Sequence, residues 1–216
     1  MNNLARVCGI LLEQSKSITV STRDIEYAVK CIYPTNNKEC IGYATHKYNM
    51  YMTQTDVNEK LNVRHTKHKF VSSMIVYIPR VRIAKGVDIL TYYYIKFFEQ
   101  NNMYEESEIN QDVFLLHIAC EVMNFRHHDS LHTKDIHVAM HIMKPELDVD
   151  PYNDELIDNV TVINDKNTIE SVMKKYRETP YISNTVVMCW KFMLSKIPNV
   201  KSTTSLSQNL KTSETP

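Results

Sequence analysis

The nine residues STRDIEYAV at positions 21–29 decide the fold, because they recur 111 residues later as HTKDIHVAM at positions 132–140. A threonine, a basic residue, an aspartate, an isoleucine and an alanine stand at matching places in the two stretches. Each stretch follows an amphipathic segment and a short β-branched or extended loop, and each precedes a proline, Pro34 or Pro145. The repeat therefore predicts a duplicated helix–strand–helix unit, in which Thr22 and Thr133 cap the second helix.

The hydrophobic periodicity around the repeat predicts a mainly helical chain. Apolar residues three and four apart mark one face of each helix, and this pattern is interrupted by a short β-branched segment at 18–20 and by a short extended link at 130–132. The polar and basic stretch 54–69 is interpreted as a linker. Helices are expected at 4–13, 22–32, 40–50, 89–98, 109–125, 133–143, 168–176 and 186–194.

The composition excludes several classes of protein. The 216 residues include only 3 glycines, which argues against a β-rich fold and against a glycine-rich phosphate loop. Five cysteines without CxxC spacing predict free thiols and a reducing compartment. We find no secretion leader and no apolar run of membrane-spanning length, so we expect a protein that is neither secreted nor membrane-spanning.

The charges cancel overall but are unevenly placed. The formal net charge is zero, whereas the segment from Lys60 to Lys85 carries seven basic residues and no acid. The segment from Glu105 to Glu170 carries fifteen acids against four Lys or Arg. Two interpretations stay open, either two ordinary solvated surfaces or an anion-facing segment opposite an acidic face.

The duplicated unit resembles the second half of a histone fold, with its central helix, second loop and third helix. The first copy resembles histone 2B in Arg23-Asp24-Ile25, Ala28-Val29 and Pro34, and in a following segment with Thr45, Lys47 and Tyr51. The second copy resembles histone 2A in Ile78-Pro79 followed by Arg82, and in a docking segment at 153–156 and 160–163. A 2B-like unit before a 2A-like unit is the order of viral histone doublets of the marseillevirus type. The resemblance covers residues 3–163.

This resemblance implies a mainly α fold of tandem histone folds packed as an intramolecular handshake pair. The first unit is incomplete, because Met1 stands where the middle of its central helix would be. On that basis we expect the chain alone to be marginally stable or self-associating. The expected organisation is a truncated 2B-like unit (1–55), a basic linker (56–77), a 2A-like unit with docking segment (78–165), a helical extension (166–198) and a disordered tail (199–216).

The implied function is architectural DNA packaging, by contacts to the phosphate backbone and not to bases. The implied partners are duplex DNA and a histone 3/4-type pair, in a virion, a viral factory or the host nucleus. No membrane, small-molecule substrate or cofactor is expected. The DNA-binding residues that the resemblance implies are Lys16, Ser17, Thr19, Arg23, Arg82, Arg126, His127, His128, Ser130 and Lys134. The charge pattern alone adds Arg64, Lys67 and Lys69. A protein-docking acidic face is implied at Glu108, Asp112, Asp154 and Glu155.

Alternatives accompany these residues. Arg23 and Lys134 can instead pair with the aspartates that follow them, and the Tyr92-Tyr93-Tyr94 run is expected in the core, not as a base-stacking platform. The Arg126–Asp129 stretch with His132 suggests a metal cluster, but adjacent residues point apart, so no metal site is predicted. The chain lacks the common catalytic motifs, and we expect no enzyme. The rival function is a neutral histone-fold module of the transcription-factor type that works through protein contacts.

Overall fold

A computed structural model describes residues 1–35, 37–53, 56–101, 110–147 and 162–197, with side chains of the last range from 165. These residues are mainly helical, as the sequence predicts. The helices are α1 (Asn2–Ser15), α2 (Thr22–Ile32), α3 (Asn37–Thr53), α4 (Val57–Met74), α5 (Val87–Gln100), α6 (Gln111–Phe125), α7 (Thr133–Met143), α8 (Val162–Met173) and α9 (Asn184–Ser195), and the strands are β1 (Thr19–Val20) and β2 (Arg82–Ile83). The tail from 199 and the docking segment up to 161 lie outside the described residues.

The two copies of the repeat adopt the same local backbone. Lys16 after α1 and His127 after α6 both have a left-handed conformation, with φ of 52° and 57°. The chain then extends until an aspartate three residues into the next helix accepts the backbone N–H of the capping residue. The capping residues are Ser21 and His132, one position before the predicted Thr22 and Thr133. The prediction was off by one because the Asp at the third helical position fixes the cap.

Two arginines of the first copy tie it to the second. Arg6 of α1 donates to the carbonyl oxygens of His141 and Ile142 at the end of α7, at 3.3 and 2.9 Å. Arg23 of α2 donates to the carbonyl of Phe125 at the end of α6, at 2.5 Å. A cation at the carboxyl end of a helix satisfies free carbonyls and complements the helix dipole. The carboxyl ends of two helices of the second copy, α6 and α7, are therefore satisfied by arginines of the first copy.

The interpretation of residues 54–69 as a linker is wrong. From residue 57 onward they belong to the 18-residue helix α4. Val63, Phe70 and Met74 are buried, at a spacing that places them on one face of the helix. That face packs against α1 and α5. Lysine, arginine and histidine occupy six of the other positions and obscure the apolar stripe in the sequence. The buried stripe shows that the helix belongs to the folded body.

The strands β1 and β2 form a two-stranded parallel bridge, in which Thr19 is paired with Arg82 and Val20 with Ile83. Within the described ranges this is the whole of the sheet structure. The predicted extended link at 130–132 has an extended backbone at His132, but none of its residues is a strand. Of the two repeat loops, only that of the first copy forms a strand in the described residues, and this strand pairs with β2.

The apolar face of α6 is covered from several sides. Helices α2, α7 and α8 contact it, and α9 packs on α7 and α8. Trp190 of α9 is 4% exposed and donates its indole N–H to the carbonyl of Asp112, at 3.3 Å. Tyr93 and Tyr94 of the aromatic run are buried, as expected for core residues. No helix in the described part of the chain is long and apolar enough to cross a bilayer.

Candidate nucleic-acid interface

The bridge brings together four of the residues that we expected to bind DNA. Lys16, Thr19 and Arg82 are exposed, and Ser17 is half-buried. The backbone N–H of Arg82 donates to Ile18 at 2.8 Å, and that of Ala84 donates to Val20 at 2.9 Å. The Ser17 hydroxyl bonds to both the N–H and the carbonyl of Thr19, at 3.1 Å each. These bonds fix the loop backbone while the lysine and arginine side chains reach into solvent.

Two helices begin beside this bridge. The strands β1 and β2 are parallel, α2 begins two residues after β1, and α5 begins four residues after β2, so the amino ends of both helices follow the same end of the bridge. Gly86 caps α5 in a left-handed conformation with φ of 88°, which only glycine adopts without strain. Helix amino ends carry unpaired N–H groups and partial positive charge, so this side of the bridge suits an anion.

Acidic side chains moderate the positive charge at both helix ends. Asp24 is buried and accepts the backbone N–H and the hydroxyl of Ser21, at 2.6 and 2.7 Å. Asp88 accepts the N–H of Ile89 and lies 3.7 Å from the Lys67 ammonium. The charge of Lys67, a candidate from the charge pattern, is therefore partly neutralised by Asp88. Lys16 and Arg82 make no ion pair among the described residues.

The basic residues of α4 are split between two flanks. At 3.6 residues per turn, Lys60, Arg64 and Lys67 share one flank, next to the buried stripe. Lys69 lies roughly 140° around the helix from Arg64 and faces the other way. All four are exposed. The structure thus groups two of the three predicted α4 candidates and separates Lys69 from them.

The corresponding residues of the second copy are placed differently. Arg126 is mostly buried, and its guanidinium donates to Asp135 at 2.6 Å. Arg23 is likewise occupied by the Phe125 carbonyl, and its guanidinium lies over the rings of Tyr27 and Phe125. Ser130 is half-buried and Lys134 is exposed. The two arginines hold loops and helix ends, and Lys134 is the cation of this group that faces solvent.

Two histidines of the same loop come together, although we predicted no such cluster. The Nδ1 atoms of His128 and His132 are 2.9 Å apart, and the rings meet edge to face. Burial, followed by the charge of Arg126, lowers the pKa of His128. The loop backbone is held by Arg177, which donates to the carbonyl of His128 at 3.0 Å. The left-handed His127 turns the chain, and that conformation is not evident from residue types.

Of the expected acidic face, the structure describes only Asp112; Glu108, Asp154 and Glu155 lie outside the described residues. Asp112 is at the start of α6, where the Asn110 side chain caps the helix by accepting its backbone N–H. Burial, with Asp165 as the second cause, raises the pKa of the Asp112 carboxyl. Asp165 itself pairs with Lys191 at 2.5 Å.

A buried acid lies deeper in α6. Glu121 is 6% exposed, and burial raises its pKa to about 7, although Lys30 opposes that shift. One turn earlier, His117 is hydrogen-bonded through Nδ1 to the Tyr176 hydroxyl at 2.8 Å. Burial lowers the pKa of His117 and raises that of Tyr176. These groups are enclosed by helices and take no part in the exposed basic surface.

The chain was compared with protein-family models, curated proteins and solved structures, and none of them matches it significantly.

Proposed function

We propose that this protein is an architectural DNA-binding protein, built as an intramolecular pair of histone-fold units, that binds duplex DNA through its phosphates. The observation that carries the proposal is the parallel bridge between the loop before α2 and the loop before α5. It sets two helix amino ends and the exposed Lys16 and Arg82 on one surface.

The order of elements supports the assignment of two units. In the first unit, α1, β1 and α2 supply a central helix, a second loop and a third helix, and α3 follows as an added helix. In the second unit, α4 takes the place of the first helix and β2 that of the first loop. Helices α5 and α6 then share the place of the central helix, and α7 that of the third. This pairing joins the first loop of one unit to the second loop of the other, as the clasp of two histone folds requires.

The chemistry of the bridge suits phosphate better than bases. Backbone N–H groups, helix amino ends and two long cationic side chains contact phosphate oxygens equally well in any sequence. The bridge is only two residue pairs long, and apart from Arg82 its side chains are those of Thr19, Val20 and Ile83, so it carries no Asn or Gln amide that could read a base. Arg64 and Lys60, on the exposed flank of α4, add positive charge to the same molecule. We therefore expect sequence-independent binding from few phosphate contacts.

Fluorescence anisotropy with two duplexes of unrelated sequence tests the proposal. We expect affinity to fall linearly with salt on logarithmic axes, at about 0.9 per phosphate contacted. The double variant K16A/R82A should weaken binding to both duplexes by the same factor and reduce the slope by about two. The control K38A/K174A removes the same charge from exposed lysines on α3 and just after α8. Equal losses in the two double variants, or a clear preference for one duplex, would contradict binding at the bridge.

A protein-interaction module of the transcription-factor type is the second candidate function. It is favoured by the zero net charge and by two apolar side chains on α4, Val57 and Leu61, which are 71% and 58% exposed. They lie one turn apart on the flank next to the basic residues. If the native chain binds no duplex even at low salt, this second function is the one that the surface supports.

A further inference from the structure

The loop before α7 places three potential metal ligands within reach of one ion. One ligand atom each from His128, His132 and Asp135 lies within 4.8 Å of the others. The Nδ1 atoms of the two histidines are 2.9 Å apart, and the Oδ2 atom of Asp135 is 3.7 Å from Nδ1 of His132. His132 is exposed and His128 is half-buried, so the site opens to solvent, while Asp135 forms its floor.

The repeat shows that the backbone does not need the histidine pair. The residues of the first copy that correspond to His128 and His132 are Ser17 and Ser21, 111 positions earlier. With serines there, the first copy still has its left-handed residue, its extended loop and its aspartate-capped helix. The contact between the two imidazoles is therefore specific to the loop of the second copy, and the backbone turn does not require it.

We propose that His128 and His132, with the Asp135 carboxylate beneath them, form a binding site for one divalent transition-metal ion of the zinc, nickel or copper class. Imidazole nitrogen is a good ligand for these ions, in contrast to Mg²⁺ and Ca²⁺, which favour oxygen. Water would complete the coordination on the solvent side.

The spacing of the two nitrogens agrees with this class. Two nitrogens bound at about 2.05 Å are about 2.9 Å apart at a right angle and about 3.3 Å apart at a tetrahedral angle. The observed 2.9 Å fits the first geometry, and a small rotation of the exposed His132 ring gives the second. A hydrogen bond between two neutral imidazoles gives the same distance, and metal titration separates the two arrangements.

The surroundings hold the ligands in place and tune the carboxylate. Arg177 fixes the His128 carbonyl, and the backbone N–H of His132 donates to Oδ2 of Asp135 at 2.9 Å. Arg126 pairs with the other oxygen, Oδ1, at 2.6 Å, and so takes up part of the carboxylate charge. We therefore expect the two imidazoles to supply most of the affinity and Oδ2 to act as a weaker third ligand.

Calorimetric titration of the full chain with ZnCl₂ in a non-chelating buffer tests the site. We expect one ion per chain, with affinity lowered at least about tenfold in H128S/H132S, the residues that the first copy carries. The control H65S/H68S removes another histidine pair, three residues apart at exposed positions of α4, and should bind as the native chain does. Absence of binding, unchanged binding in H128S/H132S, or loss in H65S/H68S would overturn the proposal.

A measurement on the unaltered protein guards against misfolding of the variant. Substoichiometric Cu²⁺ should broaden the imidazole NMR signals of His128 and His132 in the native chain and leave those of His65 and His68 sharp. Broadening at α4 instead, or equal broadening at all exposed histidines, would show that the loop is no site.

Discussion

The two copies of the repeat share a backbone and differ in what surrounds it. In the first copy, the loop after α1 pairs with β2, and its exposed residues face solvent beside two helix amino ends. In the second copy, no strand of the described residues pairs with the loop. Arg126 forms an ion pair with Asp135 at the end of this loop, and Arg177 donates a hydrogen bond to the carbonyl of His128.

This difference separates what the repeat motif encodes from what its setting adds. The aspartate cap and the left-handed residue produce the same turn twice, because they are local interactions. Whether the turn becomes an exposed bridge or a clamped loop depends on residues far away in the chain, such as Arg82 and Arg177. The proposed DNA surface therefore lies at the first copy's turn, and the proposed metal site at the second copy's turn.

We expect the largest difference between the two copies in how much stability is lost when the capping aspartate is replaced. Asp135→Ala should destabilise the fold by about 3–5 kcal/mol, because it leaves the mostly buried Arg126 without its partner. Asp24 makes no ion pair within the described part of the chain, so Asp24→Ala removes only a cap and should destabilise by about 0.5–2 kcal/mol. Urea denaturation of the two variants measures both values.

Comparing the two variants also defines the outcome that would contradict this prediction. Equal losses in D135A and D24A would mean that the Arg126–Asp135 pair adds nothing to the cap. The two turns would then be energetically alike despite their different surroundings.

A smaller contrast concerns pH, because Glu121 of the second copy corresponds to Ile10 of the first. The folded-state pKa of Glu121, about 7, lies above its ordinary value of 4.5. As pH rises between these values, the unfolded chain loses the proton first, so the native state becomes less stable. At about 1.4 kcal/mol per pH unit, the full interval corresponds to a loss of roughly 3 kcal/mol.

Glu121→Gln should remove this loss, since glutamine does not titrate. The free energy of unfolding, measured from pH 4 to 8, should fall more steeply for the native chain than for E121Q between pH 4.5 and 7. Above pH 7 the difference should stay constant. Parallel curves would show that Glu121 titrates normally and is less enclosed than its position in α6 indicates.

The sequence predicted those features that depend on short-range patterns. The repeat, the mainly helical fold, and helices α1, α2, α6 and α7 follow from apolar spacing and from the proline stops, and the structure confirms them. Helix α9, expected at 186–194, is also confirmed, and the structure adds that it packs over the second copy through Trp190.

Features that depend on distant partners were missed. Helix α4 has three buried residues in eighteen, and its many cations suggested a linker; the seven-residue spacing of Val63 and Phe70 was the available signal. Adjacent histidines were expected to diverge, and no metal cluster was predicted in this loop. The turn at His127 instead brings His128 onto His132, four residues on. The capture of Arg23 by the Phe125 carbonyl depends on tertiary packing, which no local pattern contains.

The most direct test of the account is an NMR titration of the native chain with a short duplex, followed through its backbone amides. If DNA binds at the bridge, amides of residues 16–21 and 82–87 should shift first and saturate together, with smaller shifts on the Arg64 flank of α4. The shifts should vanish at high salt and be the same for unrelated sequences. Shifts confined to α8 and α9, or no shifts at low salt, would contradict DNA binding at the bridge.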